Sequence, residues 1–130
     1  MLFRSPPSWV LVPQLVETTL SLAMEGHAIL VGHGATVVTA KLTNVFHVRL
    51  TGSLPERIGR VQKLRSLTPE AAATFVRNED RRREKYLKAY FDTHLDDELL
   101  YDLSINTDRI PNGEAVAIIS EGAQRFFSIF

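Results

Sequence analysis

The stretch from Leu67 to Phe91 (LTPEAAATFVRNEDRRREKYLKAYF) constrains the fold most, because its helical periodicity is interrupted in an informative place. Ala72, Phe75 and Val76 begin an apolar stripe at helical spacing, and Tyr86, Leu87 and Tyr90 resume it. The same spacing runs through Glu79, Asp80 and Arg83, so charged groups occupy positions where a surface helix buries side chains. Between Arg77 and Lys88 six basic residues face three acidic ones, a local excess of three positive charges. Two readings stand on composition alone. The run is either a solvated face laced with ion pairs such as Asp80 with Arg83, or a site that receives an anion.

The rest of the chain narrows the classes. Its 130 residues suit one domain, and 45% apolar with 23% charged residues is ordinary for a globular fold. Fifteen basic residues balance fifteen acidic ones, which argues against a protein built mainly to hold nucleic acid. With no cysteine, disulfides and thiolate metal sites are excluded, and a cytoplasmic location is expected. No apolar run reaches the length of a membrane span, so no membrane partner is expected.

Residues 1–8 read as a loose segment and residues 9–130 as the domain. Leu2 to Ser5 (LFRS) also matches what the end of a common sequencing adaptor encodes, which would leave the native upstream sequence outside this chain. Val12 to Glu25 is expected to be a helix ended by Gly26. Ala28 to Val31 is a short apolar run stopping at Gly32-His33-Gly34, the pattern of a buried parallel strand meeting its loop. A short crossover helix over Ala35 to Leu42 and a second strand over Val45 to Leu50 follow, with His47 read as a hydrogen-bonded sheet histidine rather than a catalyst.

Ser53 to Glu56 forms a capping box that opens a helix reaching about Arg65, and Thr68-Pro69 opens the long helix. His94 to Glu98 (HLDDE) is an acidic loop without a second ligand cluster, so no metal site is assigned. Leu103 to Asn106 gives a third strand, and a last helix begins at Glu114. Phe126, Phe127, Ile129 and Phe130 either cover the sheet or contact another chain, with coverage favoured. Strands alternating with helices make the fold class α/β, a parallel sheet of about three strands flanked by helices.

Four pieces in order, AILVGHGA, VFHVRLTGSLPERIGRV, RNEDRRREKYLKAYF and YDLSINTDR, resemble the cytidylate kinase-like family of nucleoside monophosphate kinases, over roughly Trp9 to Ser120. The resemblance implies part of a P-loop-kinase-like sheet with an arginine-rich lid helix. It also implies transfer of a phosphoryl group from ATP to CMP or dCMP with Mg2+, so a cytidine nucleotide is the expected partner. Arg83, Arg77 and Asp80 become the candidate catalytic residues. Arg77, Arg81 and Arg83 would supply positive field to the transferring phosphoryl, with Arg83 the best match to the family's lid pattern, and Asp80 would orient that arginine or accept from the nucleotide. Gly32, His33, Gly34 and Arg81 become the candidate nucleotide-binding residues.

Two departures accompany the likeness. The phosphate loop G-x-x-x-x-G-K-[ST] has no counterpart here, since none of the seven glycines is followed by lysine. That removes most of an ATP site, and the 130 residues alone are expected to be inactive. The family's Gly-Arg-Gly is Gly32-His33-Gly34 here, which trades a fixed positive charge for an imidazole. In the resembled fold the phosphate-loop strand lies between the strands matching Ala28 to Val31 and Val45 to Leu50. Those two are therefore expected to pair directly, or the sheet to be completed by a second chain in a homodimer.

Overall fold

The computed structural model describes residues 8–32 and 34–129. Helices dominate it: α1 (Ser8–Glu25), α2 (Ala35–Val38), α3 (Leu54–Arg65), α4 (Pro69–Phe91) and α5 (Asn112–Ile129) surround two short strands, β1 (Val48–Thr51) and β2 (Leu103–Asn106). The strands are parallel, with Val48 opposite Leu103 and Leu50 opposite Ile105. The chain is thus a helix-rich α/β fold with a small two-strand sheet.

Local chemistry explains most boundaries. Ser53 caps α3 by accepting from the Glu56 amide at 3.4 Å, and Thr68 caps α4 by accepting from the Ala71 amide at 3.2 Å. Pro69 stands at the first position of α4, where its missing donor is harmless. Helix α4 is one unbroken element of 23 residues, ended by Asp92 in a left-handed conformation whose amide reaches the Lys88 carbonyl. Helix α1 starts a turn earlier than its apolar spacing predicts and tolerates Pro13; Gly26 terminates it at φ 76°.

One half of the predicted capping box is replaced. Glu56 does not complete it; the cap amide of Ser53 donates instead to both carboxylate oxygens of Asp108, at 3.0 and 3.2 Å. That clasp joins the start of α3 to the loop beyond β2, fixing both where the parallel strands end.

The predicted strand at Ala28 to Val31 is absent. The segment is irregular, and Ile29 and Val31 stand 92% and 83% exposed. The sheet among the described residues holds only β1 and β2, so neither direct pairing nor a third strand is present. An apolar run becomes a strand only where its backbone groups pair with an edge, and within this chain residues 28–31 pair with none. The crossover helix also shrinks to Ala35–Val38. Predictions on residues 1–7, His33 and Phe130 lie outside the described residues.

The core is small. Ala72, Val76 and Leu87 of α4, Ile105 of β2, Ala115 of α5 and Ala23 of α1 are its buried apolar members. Helix α5 packs over β2, where Phe126 stacks on Phe46 with ring centroids 5.1 Å apart. The C-terminal aromatics therefore divide: Phe126 covers the sheet region, while Phe127 and Ile129 remain exposed. His47 is buried as a hydrogen-bonded residue. Its Nε2 lies 2.9 Å from Thr39 Oγ1, its Nδ1 3.4 Å from Asp102, and its backbone amide donates to Asp102 at 2.8 Å.

Candidate functional site

The charged interruption in α4 has its receiver on α3. Arg57 lies in the first turn of α3, just past the end of β1, and its Nε donates to the Gly52 carbonyl at 3.0 Å. The remaining fork then faces α4 at a fixed angle. Nη1 donates to both oxygens of Asp80 at 2.9 and 3.0 Å, and Nη2 donates to Oδ2 at 3.0 Å. Bidentate pairing of this kind restricts direction as well as distance. Arg83, three residues on, brings Nη1 to 3.6 Å from the same carboxylate. Asp80 therefore holds two guanidinium groups side by side.

These residues border an open concavity of about 440 Å3 between α3 and α4, which Arg60, Arg65, Phe75 and Glu79 also line. Four guanidinium groups against two carboxylates leave the lining with an excess of two positive charges. Their engagement differs. Arg60 donates to the hydroxyl and carbonyl of Thr107 at 2.9 and 2.8 Å, tying α3 to the tip of β2. Arg65 lies 4.4 Å from the centroid of the Phe75 ring. Among the described residues Arg83 makes only the long contact with Asp80, and it is 55% exposed where it lines the opening.

Two carboxylates are held below their ordinary range, Asp108 beside the start of α3 and Asp92 at the far end of α4. Asp108 is lowered chiefly by the hydrogen bond from Ser53, with Arg60 and Arg57 adding to it, and Asp92 by its bond and attraction to Lys88. Burial raises the Tyr86 phenol, helped by Tyr90 beside it. Tyr86 belongs to an aromatic cluster with Tyr90 and Phe91 at the far end of α4.

The residues singled out from sequence divide into three groups. Asp80 and Arg83 meet at the concavity. Arg77 and Arg81, four apart on the other side of α4, are exposed and line no part of it. Gly32 has open space around it, but Gly34 is covered: a methyl group on it would stand 2.7 Å from the Phe91 ring. Eleven residues of helix, about 16 Å, separate Phe91 from Asp80, so the glycine turn sits at the C-terminal end of α4 and the arginine cluster at its middle. His33 lies outside the described residues.

Sequence reasoning missed Arg57, Arg60 and Arg65. The available signal was the position of Arg57, in the first turn of a capped helix directly following a strand, where side chains reach the strand tips.

The family resemblance implies ATP and Mg2+, and the carboxylates of the concavity do not fit the metal. Both carboxylates of the concavity are committed to arginines, Asp80 to Arg57 and Glu79 to Arg82 at 3.1 Å, leaving no free oxygen ligand pair. Among the described residues no group of three metal-ligating side chains occurs, and no helix is long and apolar enough to cross a membrane. What the arrangement can do is hold an anion by preorganised positive charge.

A search of curated proteins finds no match to the chain. The model of the cytidylate kinase-like family matches residues 13–109, a span containing the two strands, the clasp at Ser53, the Arg57–Asp80 pair and Arg83, and the chain belongs to that family.

Proposed function

We propose that the chain binds the phosphate of a cytidine monophosphate, CMP or dCMP, in the concavity between α3 and α4, as the acceptor side of a phosphotransfer site. Arg83 turns its loosely held fork to the phosphate oxygens, Arg57 adds positive field while its own fork stays on Asp80, and Asp80 is the positioning residue that holds the two together. The observation that carries this reading is the single carboxylate of Asp80 spanning both arginines at the rim of the opening. Membership of a kinase-like family supports the substrate class. Outward-facing Arg77 and Arg81 would join the phosphate only if α4 turned or moved over it.

These 130 residues carry no glycine followed by lysine, so on their own they are expected to bind nucleotide without turning over ATP. Calorimetric titration with CMP, dCMP and inorganic phosphate tests the binding. Arg83→Ala should weaken CMP binding roughly tenfold or more, with Arg83→Lys recovering only part, because lysine keeps the charge and loses the fork. Unchanged affinity in Arg83→Ala would refute the site. Measurable ATP-dependent phosphorylation of CMP by the purified chain would refute the inactive reading.

A second reading is a phosphate-binding module indifferent to the base. It is favoured by the lining itself, where Phe75, the aromatic residue of the concavity, already carries Arg65 over its ring. Equal affinity for CMP and a phosphate-bearing sugar would select it.

A further inference from the structure

The surface of the chain is too large for its mass. It exposes 10083 Å2, whereas a compact monomer of 14.6 kDa exposes about 6,900 Å2. Nine undescribed residues cannot supply a difference of about 3,000 Å2, since even the largest side chains add about 150–250 Å2 each. A stable interface buries about 800 Å2 on each partner, well within that excess.

Two features locate the unburied surface. One is the edge of β1. His47 O accepts from Leu103 N and Thr51 O accepts from Thr107 N, so the alternation of a parallel ladder turns His47, Arg49 and Thr51 toward β2. The backbone groups of Val48 and Leu50 then point to the open side. Beside them Leu50 is 60% exposed although its register partner Ile105 is 2% exposed, so the apolar layer stops one strand short. The other feature is the segment Ala28 to Val31, apolar and irregular, with Ile29 and Val31 projecting at alternate positions into solvent. One is an edge without a strand, the other a strand without an edge.

We infer that the chain forms a closed pair with a second copy of itself, in which residues 28–31 of each protomer add to the β1 edge of the other. A two-fold arrangement satisfies both features at once, and being closed it stops at two copies. Ile29 and Val31 of one protomer then cover Leu50 of its partner, extending the layer that already buries Ile105.

The test is sedimentation equilibrium over a concentration series, with amide exchange at Val48 and Leu50. The wild type should sediment at twice 14.6 kDa, and both amides should gain protection as concentration rises. Leu50→Lys and Ile29→Lys should each weaken self-association at least tenfold with unchanged far-ultraviolet dichroism, since both side chains are exposed in the single chain. Arg83→Ala, which leaves this face intact, should remain paired, so loss of the nucleotide site and loss of the pairing are separable. A wild type that stays monomeric, a pair that survives both lysine substitutions, or open-ended polymer in place of a closed species would each overturn the inference.

Discussion

Removing the Asp80 carboxylate tests whether α4 is held to α3 by charge geometry. Exposed ion pairs contribute about 0.2–1 kcal/mol, and breaking a buried one costs about 3–5 kcal/mol. Arg57 and Asp80 are 35% and 37% exposed and joined through three hydrogen bonds, which places their coupling at about 1–2 kcal/mol. Asp80→Ala also leaves Arg57 and Arg83 facing each other unscreened, so the single substitution should cost about 2 kcal/mol and lower the melting temperature by roughly 5–10 °C. The assay is a double-mutant cycle of Arg57→Ala and Asp80→Ala by urea unfolding, repeated in high salt. The coupling should fall by more than half at about 1 M salt, where the screening length shrinks to about 3 Å. Arg57→Lys should behave more like the alanine variant than like wild type, because the fork is what spans both oxygens. A coupling energy below about 0.3 kcal/mol, within the range of simple additivity, would refute the reasoning.

Gly34→Ala should destabilise by about 2–4 kcal/mol, since it combines a left-handed backbone with collision against the Phe91 ring. Gly32→Ala, with the same backbone sign and open space, should cost only about 1 kcal/mol, and a Phe91→Leu background should relieve Gly34→Ala in urea melts. The Asp108 carboxyl is lowered by Ser53, so its contribution is complete above the ordinary carboxylate value near 3.9 and disappears as pH falls through the lowered folded value. Asp108→Asn should therefore be less stable than wild type at neutral pH and converge with it in acid, as read by unfolding free energy against pH. Thr39→Val should cost about 1–3 kcal/mol by leaving the buried His47 Nε2 without its partner, measured by chemical denaturation.

What could be read from sequence was what neighbours in the chain decide. Thr68-Pro69 announces α4, Ser53 announces α3, and Leu103 to Asn106 is a strand where expected. What could not be read depends on residues far apart. Glu56 fits a capping box, but Asp108, fifty-five residues beyond Ser53, occupies that role. The stripe in α4 signals that Asp80 must meet something without naming Arg57, twenty-three residues earlier. Gly34 reads as room for a ligand, and the room is filled by an aromatic ring. Ala28 to Val31 has the composition of a strand, but a strand exists only with the edge that pairs it, and composition carries no information about that edge.

Ile29 and Val31 have a consequence for the fate of the chain in a living cell. The segment is bracketed by Gly26 and His27 on one side and Gly32 and Gly34 on the other, all with left-handed backbone, and it offers two apolar side chains to solvent. Extended apolar peptide is what chaperones grip and what a protease cleft must thread. Under the inferred pairing, the steady-state level of this protein should follow how quickly that loop is covered after synthesis.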